Sequence, residues 1–522
     1  MSRYERVHDD SLVEHDGSRR SRVGRFATEA IHAELDAVGL RAKVARGLRW
    51  KLLTVVFAQG TQSLVAILLA HLLLPRDFGL AAMATVFGGL AGILTDLSLG
   101  AALIQRKSLT EQDRSTVFWT TTAGGVAMSL VGIALSPLVA DFFSRPSVAP
   151  LFAAVSLGFT MTALGQTQTA LLTREMAFRS LEIREIIATL FGAAAAVALA
   201  LAGGGAWAII AQMLCTAGAS TALVWTLSPW RPQFVFSAES FRTLGSFGFK
   251  TLLSKLLFYL NLNGDNLLVG RYLGARALGI YSVAFNVMFL PVARVITPIR
   301  DVFYAAFVRL QNDPPRLGDV WLRVNRISSS LTVPAFLGMV VVAPDFVTVV
   351  LGPRWHAAIP VLQMLSLAGI AQSYQGFNGN VYLARGRPGL FLWFMIFSTG
   401  VTVGGFVLGL HWGVVGVAGS LAAARTIVLV PNTWLISRMT TLSVFRTVRS
   451  YFEIGWMAGV MGLVVFFARI ALLHAGVPPA LRLILLVTLG ATVYFAVVSK
   501  RSPDLVVDVR STFQRGGAVQ TA

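Results

Sequence analysis

Residues Leu73 to Phe87 read LLPRDFGLAAMATVF, and residues Leu273 to Val287 read LGARALGIYSVAFNV. At an offset of 200, Leu73 falls on Leu273, Arg76 on Arg276 and Gly79 on Gly279. Each segment ends one apolar run and opens the next, so the two read as the same corner of a repeated unit. Weaker echoes follow in the same order. Arg174 closes a polar helix as Arg385 does, and Gly205-Ala206-Trp207-Ala208 opens the sixth apolar run much as Gly413-Val414-Val415-Gly416 opens the twelfth. The sequence therefore carries two parallel copies of six runs, related by an axis along a membrane normal.

Hydrophobic residues make up 55% of the 522 positions and charged residues 13%. That is too little charged surface to cover a soluble core of this size. The apolar runs, from 50–73 to 478–499, are each about 20 residues long, enough to cross about 30 Å of hydrocarbon. The expected fold is an all-α membrane protein of about 14 transmembrane helices, with two parallel six-helix repeats and two C-terminal helices. The expected N-lobe, 51–232, holds spans 1–6, the C-lobe, 233–440, holds spans 7–12, and spans 13–14 lie within 450–499. Only Gly203-Gly204-Gly205 separates spans 5 and 6.

Before the spans, residues 1–25 mix charged and small residues without periodicity and read as a disordered cytoplasmic tail. From 26 to 50, Ile31, Leu35, Val38, Ala42, Ala45 and Leu48 recur three and four apart, the pattern of an amphipathic interfacial helix. Residues 500–522 form a second expected cytoplasmic tail.

The net charge of +19 is distributed by topology rather than by a nucleic-acid surface. Eighteen Lys and Arg fall in alternate connectors, such as Arg300 to Arg326, and six in the connectors between them, at Arg76, Arg145, Arg271, Arg276, Arg354 and Arg482. Short loops rich in Lys and Arg stay cytoplasmic, which puts both termini inside. No nucleic-acid partner is expected. The single cysteine, Cys215, lies within span 6, so no intrachain disulfide and no cysteine metal site is expected.

Ionisable groups inside spans are costly and are functional candidates. Subtracting the topological charges leaves Lys255 in span 7, Arg294 in span 8 and Arg425 in span 12, facing Asp96 in span 2 and Asp265 in span 7. A cationic interior favours an anionic cargo group, and planar guanidinium suits a diphosphate. Polar stripes accompany these charges: Gln166 and Gln168 in span 4, Asn261, Asn263 and Asn266 in span 7, and Gln372, Gln375 and Asn378 in span 10. Amides hydrogen-bond sugars while staying neutral; the competing reading is bonding between helices. Asp96 or Asp265 is a candidate for proton or Na⁺ coupling, set against a salt bridge to a nearby cation. No cofactor and no metal is expected. The spacings Gly88 to Gly92 and Gly400 to Gly404 suggest close helix packing.

The run from Leu73 to Trp119, with Asp265 to Val287 and the FYAAFVRLQND segment ending at Asp313, resembles the Wzx-type lipopolysaccharide and exopolysaccharide exporters. These are lipid-linked oligosaccharide flippases of the MOP superfamily, and the likeness is to the colanic-acid-exporter branch. It implies two six-helix lobes, often with two further helices. It also implies a transporter in the bacterial cytoplasmic (inner) membrane that flips undecaprenyl-diphosphate-linked oligosaccharide for surface polysaccharide biosynthesis, by alternating access between its lobes. The implied partners are membrane lipids, the lipid-linked oligosaccharide, and polymerase and glycosyltransferase machinery. A long N-terminal segment departs from the family's usual short one. The nearest rival is a multidrug or metabolite antiporter of the same fold. An enzyme would need a sizeable extramembrane loop or an acidic metal motif, and the largest inner connector, Arg300 to Arg326, has no Asp-x-Asp pair.

Overall fold

The computed structural model describes residues 57–95, 100, 103–104, 106 and 109–505, apart from the side chains of 93–95, 238–258, 260–262 and 301–302. The expected tail 1–25, the interfacial helix 26–50, Asp96, the side chains of Lys255 and Asn261, and the end of the chain from 506 lie outside this set.

Among the described residues the chain is helical, with no strand. In the N-lobe the helices are α1 (Phe57–Leu72), α2 (Pro75–Thr95), α3 (Glu111–Phe143), α4 (Val148–Arg174), α5 (Phe178–Leu201) and α6 (Ala206–Leu227). The C-lobe contains α7 (Ala238–Pro291), a π turn (Val292–Ile296), α8 (Thr297–Arg309) and α9 (Pro314–Phe346). It continues with α10 (Ala358–Ser373), α11 (Asn378–Ala384), α12 (Pro388–Gly409) and α13 (Gly413–Thr440). Helices α14 (Val444–His474) and α15 (Pro479–Arg501) follow. Nine helical stretches among the described residues are long and apolar enough to cross a membrane, and two of them, Asn263–Arg309 and Pro388–Thr440, run to 47 and 53 residues.

Local chemistry sets the helix ends. At the start of α3, Asp113 N donates to Thr110 Oγ1 (3.2 Å) and Thr110 N donates to Asp113 Oδ2 (3.0 Å), a reciprocal cap. Arg106 Nη1 donates to the same carboxylate at 2.6 Å. The α5–α6 corner needs left-handed backbone at Gly203 (φ +80) and Gly205 (φ +53), so the triple glycine is the hinge of a tight hairpin.

Helix α7 is two arms. Gly274 (φ +81, ψ −179) breaks it, and beyond the break Tyr281 OH donates to Asp265 Oδ2 at 2.7 Å. Sixteen residues of straight helix would span about 24 Å, so the chain reverses at Gly274. The repeat-related corner, Leu73 and Leu74 between α1 and α2, interrupts the helix at the corresponding place.

These two corners pack on each other reciprocally. A Cβ on Gly79 would run into the backbone carbonyl of Ala275, and one on Gly279 into that of Pro75. Position 75 is the counterpart of 275, and 79 of 279, so the pair of contacts is what a pseudo-twofold axis between the lobes requires. The glycines let backbones approach where no side chain fits.

The same arginine-poor end holds the other ties between lobes. Buried Trp355 donates its Nε1 to Ala70 O at 2.8 Å and stacks edge-on against Phe78. Arg271 Nη1 donates to Phe142 O (2.6 Å) and Ser144 Oγ (2.7 Å), capping the C-terminal end of α3. Deeper, Tyr259 OH donates to Val86 O at 2.7 Å. The extensive lobe-to-lobe packing runs through α7 against α2 and α3.

Helices α14 and α15 lie against α9. They are pinned there by Asp345, 1% exposed, which accepts from Arg469 Nε (2.6 Å) and Arg482 Nε (2.7 Å). Gly88 packs against Val155 as the glycine spacing predicts, whereas Gly400 and Gly404 have nothing within 4 Å of a would-be Cβ and are not packing positions in this chain.

Candidate functional site: one polar cavity in each lobe

Each lobe contains a polar cavity, and the two are built from corresponding elements. The N-lobe cavity, about 510 Å³, lies between Gly100 and Ile104, which follow α2, and helices α4, α5 and α6, and is lined by Gln166, Thr162, Thr169, Arg184 and Thr221 among others. The C-lobe cavity, about 410 Å³, lies between α8, α10–α11, α12 and α13. Its wall includes Arg300, Gln372, Gln375, Asn378, Arg425 and Asn432. The offset of 208 that relates Gly205 to Gly413 takes Ala217 to Arg425 and Val224 to Asn432, and all four residues line their cavities. The repeat is therefore also a repeat of sites, with different side chains installed in each.

Four residues of the C-lobe wall form one chain. Tyr382 OH donates to Asn432 Oδ1 (3.1 Å), Asn432 Nδ2 to Gln375 Oε1 (3.2 Å), and Gln375 Nε2 to the carbonyl of Arg425 (3.1 Å). Buried Trp321 donates to Asn378 Oδ1 (3.2 Å), leaving Asn378 Nδ2 buried with no partner. Asn380 Nδ2 donates to Arg300 O at 3.2 Å. Behind the amides stands an aromatic layer, Tyr382 stacked on Phe391 and Phe394.

The polar groups of the N-lobe wall are mainly hydroxyls. Thr162 and Thr169 donate to Gly158 O and Gly165 O at 2.8 Å, and Thr221 donates to Met161 O at 2.7 Å. Arg184 Nη1 donates to Thr169 Oγ1 at 2.8 Å, and Arg184 pairs with Glu185 at 3.7 Å.

The structure brings together Arg425, Gln372, Gln375 and Asn378, which the sequence proposed from different spans. It places Gln166 in the other lobe's cavity. It does not bring Arg294 to Arg425: Arg294 is exposed on the π turn, and Arg425 is half-buried in the C-lobe wall. Gln168 is fully buried in α4, its amide without a partner, and lines neither cavity. Asn263 and Asn266 bond along their own helix, Asn263 Nδ2 to Tyr259 O (3.1 Å) and Asn266 Nδ2 to Asn263 Oδ1 (3.4 Å). Asp265, 4% exposed, accepts from Tyr281 and from Asn266 N, so its carboxylate ties the two arms of α7 together, and Arg425 of α13 lies within its field. Among the described residues, no cluster of His, Cys, Asp or Glu could hold a metal ion.

Arg300, Tyr382 and Asn432 are site residues that the sequence reading passed over. Along the chain Arg300 is one more connector charge of the kind that orients the protein, and a lone Asn or Tyr in an apolar run carries no signal by itself. Asn432 was findable through the repeat, as the polar counterpart of Val224.

Residues 68–360, more than half of the chain, match the family model described as polysaccharide biosynthesis protein. The chain belongs to the polysaccharide biosynthesis protein family. Within that family it is similar to the teichuronic acid biosynthesis protein TuaB of Bacillus subtilis, with 29% identity over 80% of this chain and 87% of the relative. It is equally similar (29%) to the lipopolysaccharide biosynthesis protein WzxC of Escherichia coli, over 71% of this chain and 76% of the relative. The succinoglycan biosynthesis transport protein ExoT of Rhizobium meliloti is 26% identical over 87% and 92%. Among solved structures, the fold of this family member matches the lipid II flippase MurJ in an inward closed conformation, with TM-score 0.68 and 14% identity over 87% of this chain and 100% of MurJ. It also matches an inward-facing MATE multidrug transporter of the MOP superfamily, with TM-score 0.59 and 15% identity over 76% and 99%. The expected membrane-transporter fold is thereby established.

Proposed function

We propose that this protein moves a lipid-linked oligosaccharide across the bacterial cytoplasmic membrane for surface polysaccharide biosynthesis, by rocking of its two lobes. The observation that carries the reading is the pairing of polar cavities, one per lobe, inside a membrane-spanning bundle whose lobes are tied together at one end. A polar interior of amides, hydroxyls and guanidiniums suits a glycan, and lobes closed on each other at one end suit alternating access. The names of the relatives, all of polysaccharide biosynthesis or transport, point the same way.

In this reading the chain crosses the membrane fourteen times as lobes 51–232 and 233–440 plus two further helices, with both termini and the arginine-rich connectors in the cytoplasm. The glycan enters between the lobes from that side while the lipid tail stays in the bilayer. The carrier's diphosphate is offset by Lys255 and by Arg294, exposed on its π turn. The glycan meets Gln166 in one lobe and Gln372, Gln375 and Asn378 in the other. Asp265 serves structure first: its place beside Tyr281 and Arg425 is that of a tie between helices, and coupling to a proton or Na⁺ falls to Asp96 or to Asp265 once Arg425 moves. Polymerase and glycosyltransferase machinery would supply and consume the cargo on the two faces.

The test is reconstitution of the purified protein in vesicles with a fluorescent polyprenyl-diphosphate oligosaccharide in the inner leaflet. The expected result is appearance of the label in the outer leaflet, with no comparable movement of a cationic drug. Drug efflux without glycan movement would establish the antiporter reading instead.

A further inference from the structure

Six arginines belong to the arginine-poor end, at Arg76, Arg145, Arg271, Arg276, Arg354 and Arg482, and the charge rule that orients a membrane chain does not explain them. Arg482 is accounted for by its bond to buried Asp345. The other five are exposed, and each stands at a contact between the lobes. Arg271 Nη1 of the C-lobe donates to Phe142 O and Ser144 Oγ of the N-lobe. Arg145 reaches the opposite way, its Nη2 3.5 Å from where a Cβ on Gly274 would stand. Arg76 follows Pro75, whose carbonyl abuts Gly279, and Arg276 follows Ala275, whose carbonyl abuts Gly79. Arg354 precedes Trp355, which donates to Ala70 O. Because the two corners are repeat-related, Arg76 and Arg276 flank the seam from opposite lobes.

Carboxylates do not balance these charges. Asp77 caps its own helix, accepting from Leu74 N at 2.9 Å, and Asp141 is exposed. Among the described residues, none of the five arginines is in an ion pair. Like charges gathered along a seam repel and favour its parting, and an anion bound between them reverses the sign. Guanidinium takes phosphate through two parallel hydrogen bonds. Exposed apolar side chains stand beside the charges: Leu72 and its repeat counterpart Tyr272, with Leu74 and Phe142. Arg271 itself lies 5.7 Å over the Phe142 ring. Cations bordered by an exposed apolar edge suit a lipid, with its phosphate on the arginines and its acyl chains along that edge.

We propose that the arginine-poor end of the seam is a binding site for the phosphate of an anionic phospholipid, which bridges Arg76 and Arg145 of the N-lobe to Arg271 and Arg276 of the C-lobe and holds the lobes together there. While the seam is closed the site is open to the leaflet at this end, and the phosphates at that depth are those of the bilayer's own lipids. A ligand that prefers the closed seam to the parted one shifts the equilibrium by its difference in affinity. The lipid is therefore a staple whose strength follows the membrane's content of anionic lipid. This inference concerns regulation and not the cargo; from the transport reading it takes only that the lobes part at this end.

The experiment titrates the full chain in detergent with phosphatidylglycerol or phosphatidylcholine of equal chain length and counts bound lipid by native mass spectrometry. The wild type is expected to bind phosphatidylglycerol about tenfold more tightly, the order of one charge-assisted hydrogen bond. The double variant Arg76→Gln with Arg276→Gln is expected to lose that preference while its affinity for phosphatidylcholine changes by less than about twofold. Both side chains are exposed and make no hydrogen bond among the described residues, so the fold survives their exchange. Arg316→Gln with Arg387→Gln, exposed at the arginine-rich end, is the control and is expected to keep the preference. A second measurement uses the Cys215→Ala chain with spin labels at exposed Ala202 and His411, one on each lobe at the arginine-poor end. Adding phosphatidylglycerol to phosphatidylcholine nanodiscs is expected to raise the share of the short distance, and the Arg76 and Arg276 variant is expected not to respond. Equal affinity of the wild type for the two lipids, or equal losses in both double variants, would overturn the inference in favour of general attraction. Displacement of phosphatidylglycerol by a lower concentration of inorganic phosphate or of polyprenyl diphosphate would assign the site to that anion instead. Binding that leaves the label distance unchanged would sink the staple.

Discussion

Asp345 is 1% exposed and lies between Arg469 and Arg482, which approach from two different helices. Removing one member of a buried ion cluster leaves the others desolvated and unpaired, which costs far more than the intact cluster gains. Asp345→Ala is expected to destabilise the protein by about 3 kcal/mol, read as a fall in the midpoint of thermal unfolding by tryptophan fluorescence in detergent. Exchanging all three residues for apolar ones of similar volume should recover most of the loss. At this scale the sequence was least informative. Arg469 reads from its position as a side chain snorkelling to the interface, and its partner Asp345 belongs to another helix 124 residues away. Arg294 and Arg425 look alike along the chain, because each is one guanidinium in an apolar run. Only packing separates the exposed π turn from the cavity wall.

Helix corners were more legible, since glycine and proline constrain the backbone locally. Gly79 and Gly279 stand out in the sequence as a matched pair, and in the fold each abuts the backbone of the opposite lobe's corner. A methyl group there meets a carbonyl that cannot rotate away. Gly79→Ala or Gly279→Ala is therefore expected to cost about 1–3 kcal/mol, the range for overpacking, and to lower surface-polysaccharide yield in a strain lacking the native gene. Gly400→Ala is the matched control. With open space around its would-be Cβ it should stay within about 0.5 kcal/mol of wild type. The Gly400 to Gly404 spacing shows why a short motif misleads: it marks where helices can approach, and whether they do depends on which face the neighbour occupies. The reversal at Gly274 is a case the sequence did predict, because the repeat placed a corner there to match the one at Leu73 and Leu74.

The whole molecule is a pair of lobes tied at the arginine-poor end by Trp355, Arg271 and the glycine corners. At the opposite end, repeat-related arginines work within each lobe. Arg174 donates to Leu103 O and Ile104 O (3.0 and 3.1 Å), and Arg385 donates to Gln311 O at 2.5 Å. These clamps hold each lobe together as a unit without fastening one lobe to the other, which is what rocking needs. A chain with Cys215 replaced by Ala, carrying spin labels at exposed Glu175 and Arg387, reports the arginine-rich end; labels at Ser147 and Arg354 report the other. Saturating lipid-linked oligosaccharide is expected to shorten the first distance and lengthen the second in pulsed electron resonance, because a rigid lobe pivoting near the membrane centre moves its two ends in opposite senses. If both distances rise together, the lobes separate rather than rock. If neither moves while the label still crosses the membrane, the cargo travels without alternating access, and the Trp355 and glycine ties are fixed seams and not a gate.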